Sequence, residues 1–226
     1  MNWQDECYLL SKRKFRENAN IINVFSKNRG KVSGVVYGGN SRKIKNYLQI
    51  GNNLHVNFNS KSQNHIGYFK IEINNAFSPY FFDNHQKLSC IYSAMNLIKI
   101  LNADFQTNES IYSLIKDFYV LLNKKDWLKN YIFWELKLLK ILGYDIDFKN
   151  LVDKKLIKNK LKYITKSFKE KKIIPNFLID KDLKVENLDA LVDGLNLISN
   201  FLDKTILKPN NINHPVSRLQ FIASLK

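Results

Sequence analysis

Carboxylates are missing from a quarter of this chain. Between Glu17 and Glu72 the sequence runs for 54 residues without Asp or Glu, yet it carries Lys27, Arg29, Lys31, Arg42, Lys43, Lys45, Lys61 and Lys70. A nuclease or polymerase centre, which holds Mg²⁺ between clustered carboxylates, is excluded from that stretch. Cysteine is nearly absent. Cys7 and Cys90 lie far apart and form no Cys-x-x-Cys pair, so neither a disulfide framework nor a zinc module is available, which fits a reducing cytoplasm. Long apolar runs are lacking: Phe118–Leu122 is the longest, far below the ~20 residues that span a bilayer. The opening Met1-Asn-Trp-Gln-Asp-Glu carries acid where a secretory signal would carry Lys or Arg. A soluble, cytoplasmic protein without membrane contact is expected.

What is abundant is lysine. Thirty-six Lys and Arg against 20 Asp and Glu leave a net charge of +16 and a pI near 9.7. Such a balance suits a polyanion, although an acidic protein or a membrane surface would also be attracted. Codon bias offers a plainer source, since lysine outnumbers arginine 31 to 5 and Asn and Ile are common. Uniform drift toward lysine does not, however, remove every carboxylate from one segment.

The chain reads as two halves. Six of the eight glycines fall within the first 70 residues, between short strand-like segments at about 5–13, 19–26, 31–37, 53–59 and 65–74. Leu54, Val56 and Phe58 alternate with His55 and Asn57, the period of a half-buried strand. Five short strands suit a small closed barrel of the OB type, with an SH3-like barrel also open. After Pro79 the spacing becomes helical. Helices are expected within 85–123, with Thr107 as an N-cap before Glu109, at 128–142 ending on Gly143, and at 153–171, 187–207 and 215–224. The expected class is α+β: a five-stranded OB barrel over 1–80 packed on an all-α domain over 81–226, in a monomer.

Phosphate contacts are expected from Arg13, Lys14, Lys27, Arg29, Lys31, Arg42, Lys43 and Lys45, with Lys12 and Arg16 adding charge at the same end. The stretch Ser41-Arg42-Lys43-Ile44-Lys45 reads as a basic loop with little apolar content to pack. Tyr37, Tyr47, Phe58 and Tyr68 are candidates for base stacking, with a core role the first expectation for each. Lys154, Lys158, Lys162 and Lys166 recur every four residues, one face of a helix, either a solvated face or a second nucleic-acid contact. Catalytic patterns are missing: Asp145-x-Asp147 and Asp180-x-Asp182 suit loops, the four histidines have no metal-ligand spacing, and no P-loop or nucleophile elbow occurs. A binding protein without cofactor or metal is expected.

Several segments, in order, resemble the RecO family of bacterial DNA repair and recombination mediators. They are Trp3-x-Asp5-Glu6; Phe25-Ser26-Lys27-Asn28-Arg29-Gly30-Lys31; Gly38-Gly39-Asn40-Ser41-Arg42-Lys43; and Tyr47-Leu48-Gln49-Ile50-Gly51. The stretch Phe133–Tyr144 is similar to the family's F-E-L-x-L-L-x-x-L-G-Y helix, and Asp193-Gly194-Leu195 and Pro215-Val216-Ser217-Arg218 to the proteobacterial form. The resemblance covers essentially the whole chain. It implies an OB fold followed by a helical domain, binding of single- and double-stranded DNA, and annealing of complementary strands. It further implies work with RecR and contact with the acidic C-terminal tail of single-stranded DNA-binding protein, so that RecA can load, in a protein associated with the nucleoid. Lys137, Leu139, Lys140 and Leu142 are candidates for the tail contact, with a core role for the leucines as the alternative. Many relatives carry a four-cysteine zinc module after the L-G-Y helix; residues 148–186 contain no cysteine, so zinc is not expected. An RNA- or ribosome-associated OB protein is the alternative, since it would use the same charge.

Overall fold

The computed structural model describes residues 1–39, 41–61, 66–157, 160–166 and 173–226, with the backbone alone for 156, 157 and 160–162. In chain order the elements are β1 (Asn2–Arg16), β2 (Ala19–Ser26), β3 (Gly30–Tyr37), α1 (Arg42–Tyr47), β4 (Asn53–Asn59), β5 (Gly67–Asn75), α2 (His85–Leu101) and α3 (Glu109–Leu122). Then follow α4 (Trp127–Ile141), β6 (Val152–Ile157), β7 (Lys160–Thr165), β8 (Ile173–Ile174), α5 (Asn176–Ile179), α6 (Leu188–Leu202) and α7 (Val216–Ala223). They form two compact units: residues 1–119 with 215–224, and residues 120–214 with 225–226.

In the first unit the strands close a barrel in the order β1-β2-β3-β5-β4, with β4 returning to β1. Neighbours are antiparallel except β3 and β5, and α1 bridges β3 to β4, the arrangement of an OB fold. Period-two alternation builds the interior: Cys7 and Leu9, Ile22 and Val24, Val32 and Val36, Leu54, Val56 and Phe58, and Phe69 and Ile71 form one buried cluster. Strand β1 reaches both neighbours because it is long. Its first half pairs with β4 and its second with β2, and the ladder shifts between Leu9 and Ser11. A shift of this kind bends a strand, which lets one strand serve two sides of a small barrel.

The outer face of β1 packs on α2 and α3. The Tyr8 ring lies 5.2 Å from Tyr112, 6.1 Å from Tyr119 and 6.4 Å from Phe77, and Phe77 stacks on Tyr119 at 4.0 Å. Burial, helped by the charge of Glu6, pushes the Tyr8 phenol up to about 12, and burial raises Tyr119 as well. Tyr119 donates to the Gly51 carbonyl, so the buried hydroxyl is satisfied. Helix α7 packs along α2, where Asn96 donates to Ser217 at 3.1 Å.

In the second unit α4 buries Leu128, Tyr131, Ile132, Trp134, Glu135, Leu138 and Leu139 and ends as its sequence indicates. Gly143 at φ +88° turns the chain, its N–H bonds Lys140 at 3.0 Å, and the Tyr144 N–H bonds Leu139 at 2.8 Å.

Three expectations need correction. The segment 153–171 does not continue as a helix: β6 and β7 pair antiparallel, with Val152 opposite Thr165 and Ile157 opposite Lys160, and β8 joins β7. Lysine every fourth residue is compatible with either structure, and burial falls on Val152, Tyr163, Ile164 and Thr165, β-branched or aromatic residues that favour strands. The expected face is thereby dissolved. Lys154 sits on β6 and Lys162 on β7, and Lys158 lies outside the described residues. The helical half is therefore not all-α. Second, the basic loop at Ser41–Lys45 is a helical turn, α1, capped by Ser41, whose hydroxyl accepts the Ile44 N–H at 3.3 Å. Third, the cap of α3 is Asn108, not Thr107: its side chain accepts the Ile111 N–H at 3.1 Å.

The β2–β3 turn is clamped by the loop before α3. Phe105 N–H bonds the Lys31 carbonyl at 2.8 Å, and Gly30 sits at φ +69° with the Gln106 carbonyl oxygen 1.9 Å from where a Cβ would stand. Gly30→Ala combines a disfavoured backbone with a collision against backbone, and should destabilise the protein by more than about 2 kcal/mol. Chemical unfolding would register this as a lowered midpoint, and an unchanged midpoint would contradict the clamp.

Candidate nucleic-acid interface

The basic residues reach the surface through the barrel's geometry. Strand β1 carries Arg13 and Lys14 to the β1–β2 turn, where both are exposed, as is Arg16, which lies over the Phe15 ring at 5.2 Å. The end of β3 returns to the same place: the Gly38 and Gly39 N–H groups bond the Asn18 carbonyl at 2.9 and 3.3 Å. Helix α1 follows at once, with Arg42, Lys43 and Lys45 all exposed and Lys43 5.8 Å from the Tyr47 ring centre. Lys12 fastens the two parts, its ammonium donating to the Leu48 carbonyl at the end of α1, and burial lowers its pKa. Arg13, Lys14, Arg42, Lys43 and Lys45 therefore gather at one end of the barrel.

Lys27 and Arg29 do not join them. They are exposed on the β2–β3 turn, at the far end of an eight-residue strand, and that length corresponds to about 23 Å. Asp5 holds this turn. Buried to 8% exposure, its carboxylate accepts from the Asn28 backbone at 2.8 Å, the Asn28 amide at 2.9 Å, the Glu6 N–H at 2.9 Å and the Ser26 hydroxyl. Trp3-x-Asp5-Glu6 and Phe25–Lys31, distant in sequence, are thus one structural device.

Lys31 has a structural task as well. Its ammonium donates to the Lys99 carbonyl at 2.9 Å and pairs with Asp104 at 3.3 Å, with the Lys31 side chain only 15% exposed. Lys99, on α2, is a cation that sequence reasoning missed, because it belongs to an apolar helix with no basic pattern. Its pKa is lowered, first by burial and then by the positive charges of Lys31 and Arg13.

Of the aromatic candidates, Phe58 is 3% exposed within the barrel, where Trp3 stacks on it at 5.0 Å, and Tyr47 packs against the same core. Tyr37 and Tyr68 stand in solvent. In the second unit Leu139 is 1% exposed and has no surface to offer a partner, Leu142 is half-buried, Lys137 is exposed, and Lys140 pairs with Asp145 at 2.7 Å. The other carboxylates singled out in sequence cap turns: Asp147 accepts from the Lys149 N–H and Asp180 from the Asp182 N–H, each at 3.0 Å. Among the described residues no three His, Cys, Asp or Glu side chains group to hold a metal ion, and no helix is long and apolar enough to cross a membrane.

Comparison with known proteins matches residues 1–77 to the family model "Recombination protein O N terminal". The chain is 30% identical to the DNA repair protein RecO of Rickettsia canadensis, over 98% of this chain and 95% of that one. Its identity to the protein of the same name from Rickettsia felis is 31%, over 82% and 83% of the two chains, and to that of Rickettsia akari 30%, over 98% and 97%.

Removing the acceptor at Asp5 isolates its role. Asp5→Ala leaves the Ser26 hydroxyl and two Asn28 donors without their partner and should cost about 2 kcal/mol or more. Urea unfolding measures the loss; wild-type stability in this variant would show that the turn is held by something else.

Proposed function

This chain belongs to the RecO family of DNA repair proteins, and from that premise we propose that it binds single- and double-stranded DNA and anneals complementary strands without catalysing a reaction. The observation that carries this reading is the gathering of Arg13, Lys14, Arg42, Lys43 and Lys45 at one end of a barrel whose sequence holds no carboxylate from residue 18 to residue 71. Two DNA strands repel each other through their phosphates. A cationic surface that contacts both releases their counterions and lowers that repulsion, after which base pairing proceeds by itself. No bond is made or broken in the DNA backbone, so no acid, base or nucleophile is required. In the cell the protein works with RecR and helps RecA to load onto strands coated by single-stranded DNA-binding protein.

Loading requires a grip on the coating protein, and the second unit has a fitting recess. A cavity of about 170 Å³ is lined mainly by apolar side chains, among them Phe148, Leu151, Ile174, Leu197 and Phe201, with Lys204 also in its wall. An acidic peptide tail carrying an apolar residue suits it: the apolar group is desolvated and the carboxylates face a cation. We assign the single-stranded DNA-binding protein tail to this cavity in preference to the Leu139 region, whose leucine is consumed by the core.

Two measurements test these assignments. Replacing Arg42, Lys43 and Lys45 by Ala should slow annealing of complementary oligonucleotides and flatten the salt dependence of duplex binding, by up to ~0.9 in log–log slope for each phosphate that the variant no longer neutralises. Unchanged slope and unchanged annealing would remove the barrel end as the DNA surface. Leu151→Asp places a charge at the cavity on a residue already 45% exposed, so the fold should tolerate it. It should abolish binding of a peptide copied from the last residues of single-stranded DNA-binding protein while leaving annealing of bare DNA intact. Wild-type peptide affinity would place the tail elsewhere.

A further inference from the structure

Tyr37 and Tyr68 are exposed aromatic residues of the barrel wall, as is Phe15 on β1, but only these two form a ring pair with each other among the described residues. They are 60% and 40% exposed, their ring centroids lie 6.4 Å apart, and their planes are tilted by 58°. Alternation sets their direction. Val36 and Phe69 enter the barrel core, so the adjacent Tyr37 and Tyr68 project outward. On the β2 side of them is a small apolar cluster, Ala19, Ile21 and Val35, separate from the barrel interior. Ladder register aligns Arg13, Ile21, Val35 and Tyr68 across four adjacent strands and sets Tyr37 opposite Ala19. This places both rings at the barrel end that carries the five gathered cations. Lys70 follows Tyr68 by two residues on the same outer face.

The platform is held rigidly from beneath. Strands β3 and β5 meet at Gly34 opposite Gly67 and Val35 opposite Tyr68. A Cβ on Gly34 would stand 2.5 Å from the Phe69 ring, and one on Gly67 2.2 Å from the Phe58 ring. The space beside both glycines is thus filled by neighbouring aromatics, which fixes the backbone that presents the two tyrosines. A preordered ring loses little freedom when a ligand stacks on it.

We propose that Tyr37 and Tyr68 form a stacking subsite for unpaired nucleobases of single-stranded DNA, with Arg13 and Lys70 holding the phosphates on either side. The proposal rests on the DNA-binding reading and adds a discrimination that phosphate contacts alone do not supply. Every base has a π-face, so stacking is tolerant of sequence, but bases inside a duplex are already stacked on one another and do not reach the platform. Stacking also engages the face of a base and leaves its hydrogen-bonding edge open. A strand held here remains able to pair with an incoming complement, and once pairing has stacked the base within a duplex it no longer fits the subsite. The tyrosines therefore favour the substrate of annealing over its product.

The test compares full-length wild type with Tyr37→Ala/Tyr68→Ala and Tyr37→Phe/Tyr68→Phe, using oligothymidylate, an abasic oligonucleotide of the same length, and a duplex. Both rings are exposed, so circular dichroism and unfolding midpoints should match wild type in all variants. The alanine pair should lower affinity for oligothymidylate about tenfold or more, while affinity for the abasic strand and the duplex stays unchanged. The phenylalanine pair should retain wild-type affinity for all three. Equal losses on all three probes, or none on oligothymidylate, would overturn the subsite. The Arg42, Lys43 and Lys45 variant run alongside separates the two claims. If it weakens binding of every probe while the tyrosine variants do nothing, the subsite alone fails; if it too is inert, the DNA-binding reading fails with it.

Discussion

A five-stranded sheet must either leave two edges open or close on itself, and here closure depends on how little space separates β3 from β5. These strands run parallel and share only the register Gly34–Gly67 and Val35–Tyr68. Side chains on both glycines would collide with Phe69 and Phe58, the residues that fill the barrel beneath them. Closure, core packing and the placement of the outward tyrosines are therefore one constraint. Once the barrel is closed, β1 is committed to pairing on both sides, and its distal half carries Arg13 and Lys14 toward the end of β3 and the start of α1.

Electrostatics follows from that geometry and from where the acids are spent. Asp5, buried under the β2–β3 turn, is fully occupied as a hydrogen-bond acceptor, and Asp104 is taken by Lys31. The opposite end of the barrel has Glu17 at the β1–β2 turn and receives no further carboxylate from the sequence between residues 18 and 71. Glu17 is the acid nearest its cations in sequence, so this end keeps an excess of positive charge. In the second unit the carboxylates are used differently. Asp145 answers Lys140, while Asp147 and Asp180 cap turns. Total charge alone does not distinguish these two arrangements.

The strands of the barrel were legible because period two is a strong signal where one face is buried, and β2 and β4 begin and end where the sequence places them. Helix α4 was equally plain, from an apolar stripe and the glycine that ends it. Helix α1 was not, since six residues with no buried side chain give no periodicity to read. The β6–β7 hairpin was not legible because residues four apart share one face of a strand as well as of a helix, so the lysine spacing did not separate the two. The candidate site was legible in its residue types and not in its arrangement. That Lys27 and Arg29 part company from Arg13 and Arg42 follows from strand register, and that Lys31 is consumed by Lys99 and Asp104 follows from a contact 68 residues away in sequence. Neither is a local property of the chain.

An annealing protein faces a particular energetic demand: it must hold single strands firmly enough to bring them together, and release the duplex that results. Phosphate contacts by themselves work against release, because a duplex carries charge at twice the linear density of one strand and attracts cations more strongly. If the proposed annealing role holds, a barrel end that relied on Arg13, Lys14, Arg42, Lys43 and Lys45 alone would bind the duplex product more tightly than either strand. Release is eased if part of the grip on a single strand comes from contacts that pairing abolishes, and exposed aromatic rings provide such contacts where further lysines would not. In the proposed annealing role, five gathered cations together with two outward tyrosines are thus better matched to turnover than either would be separately.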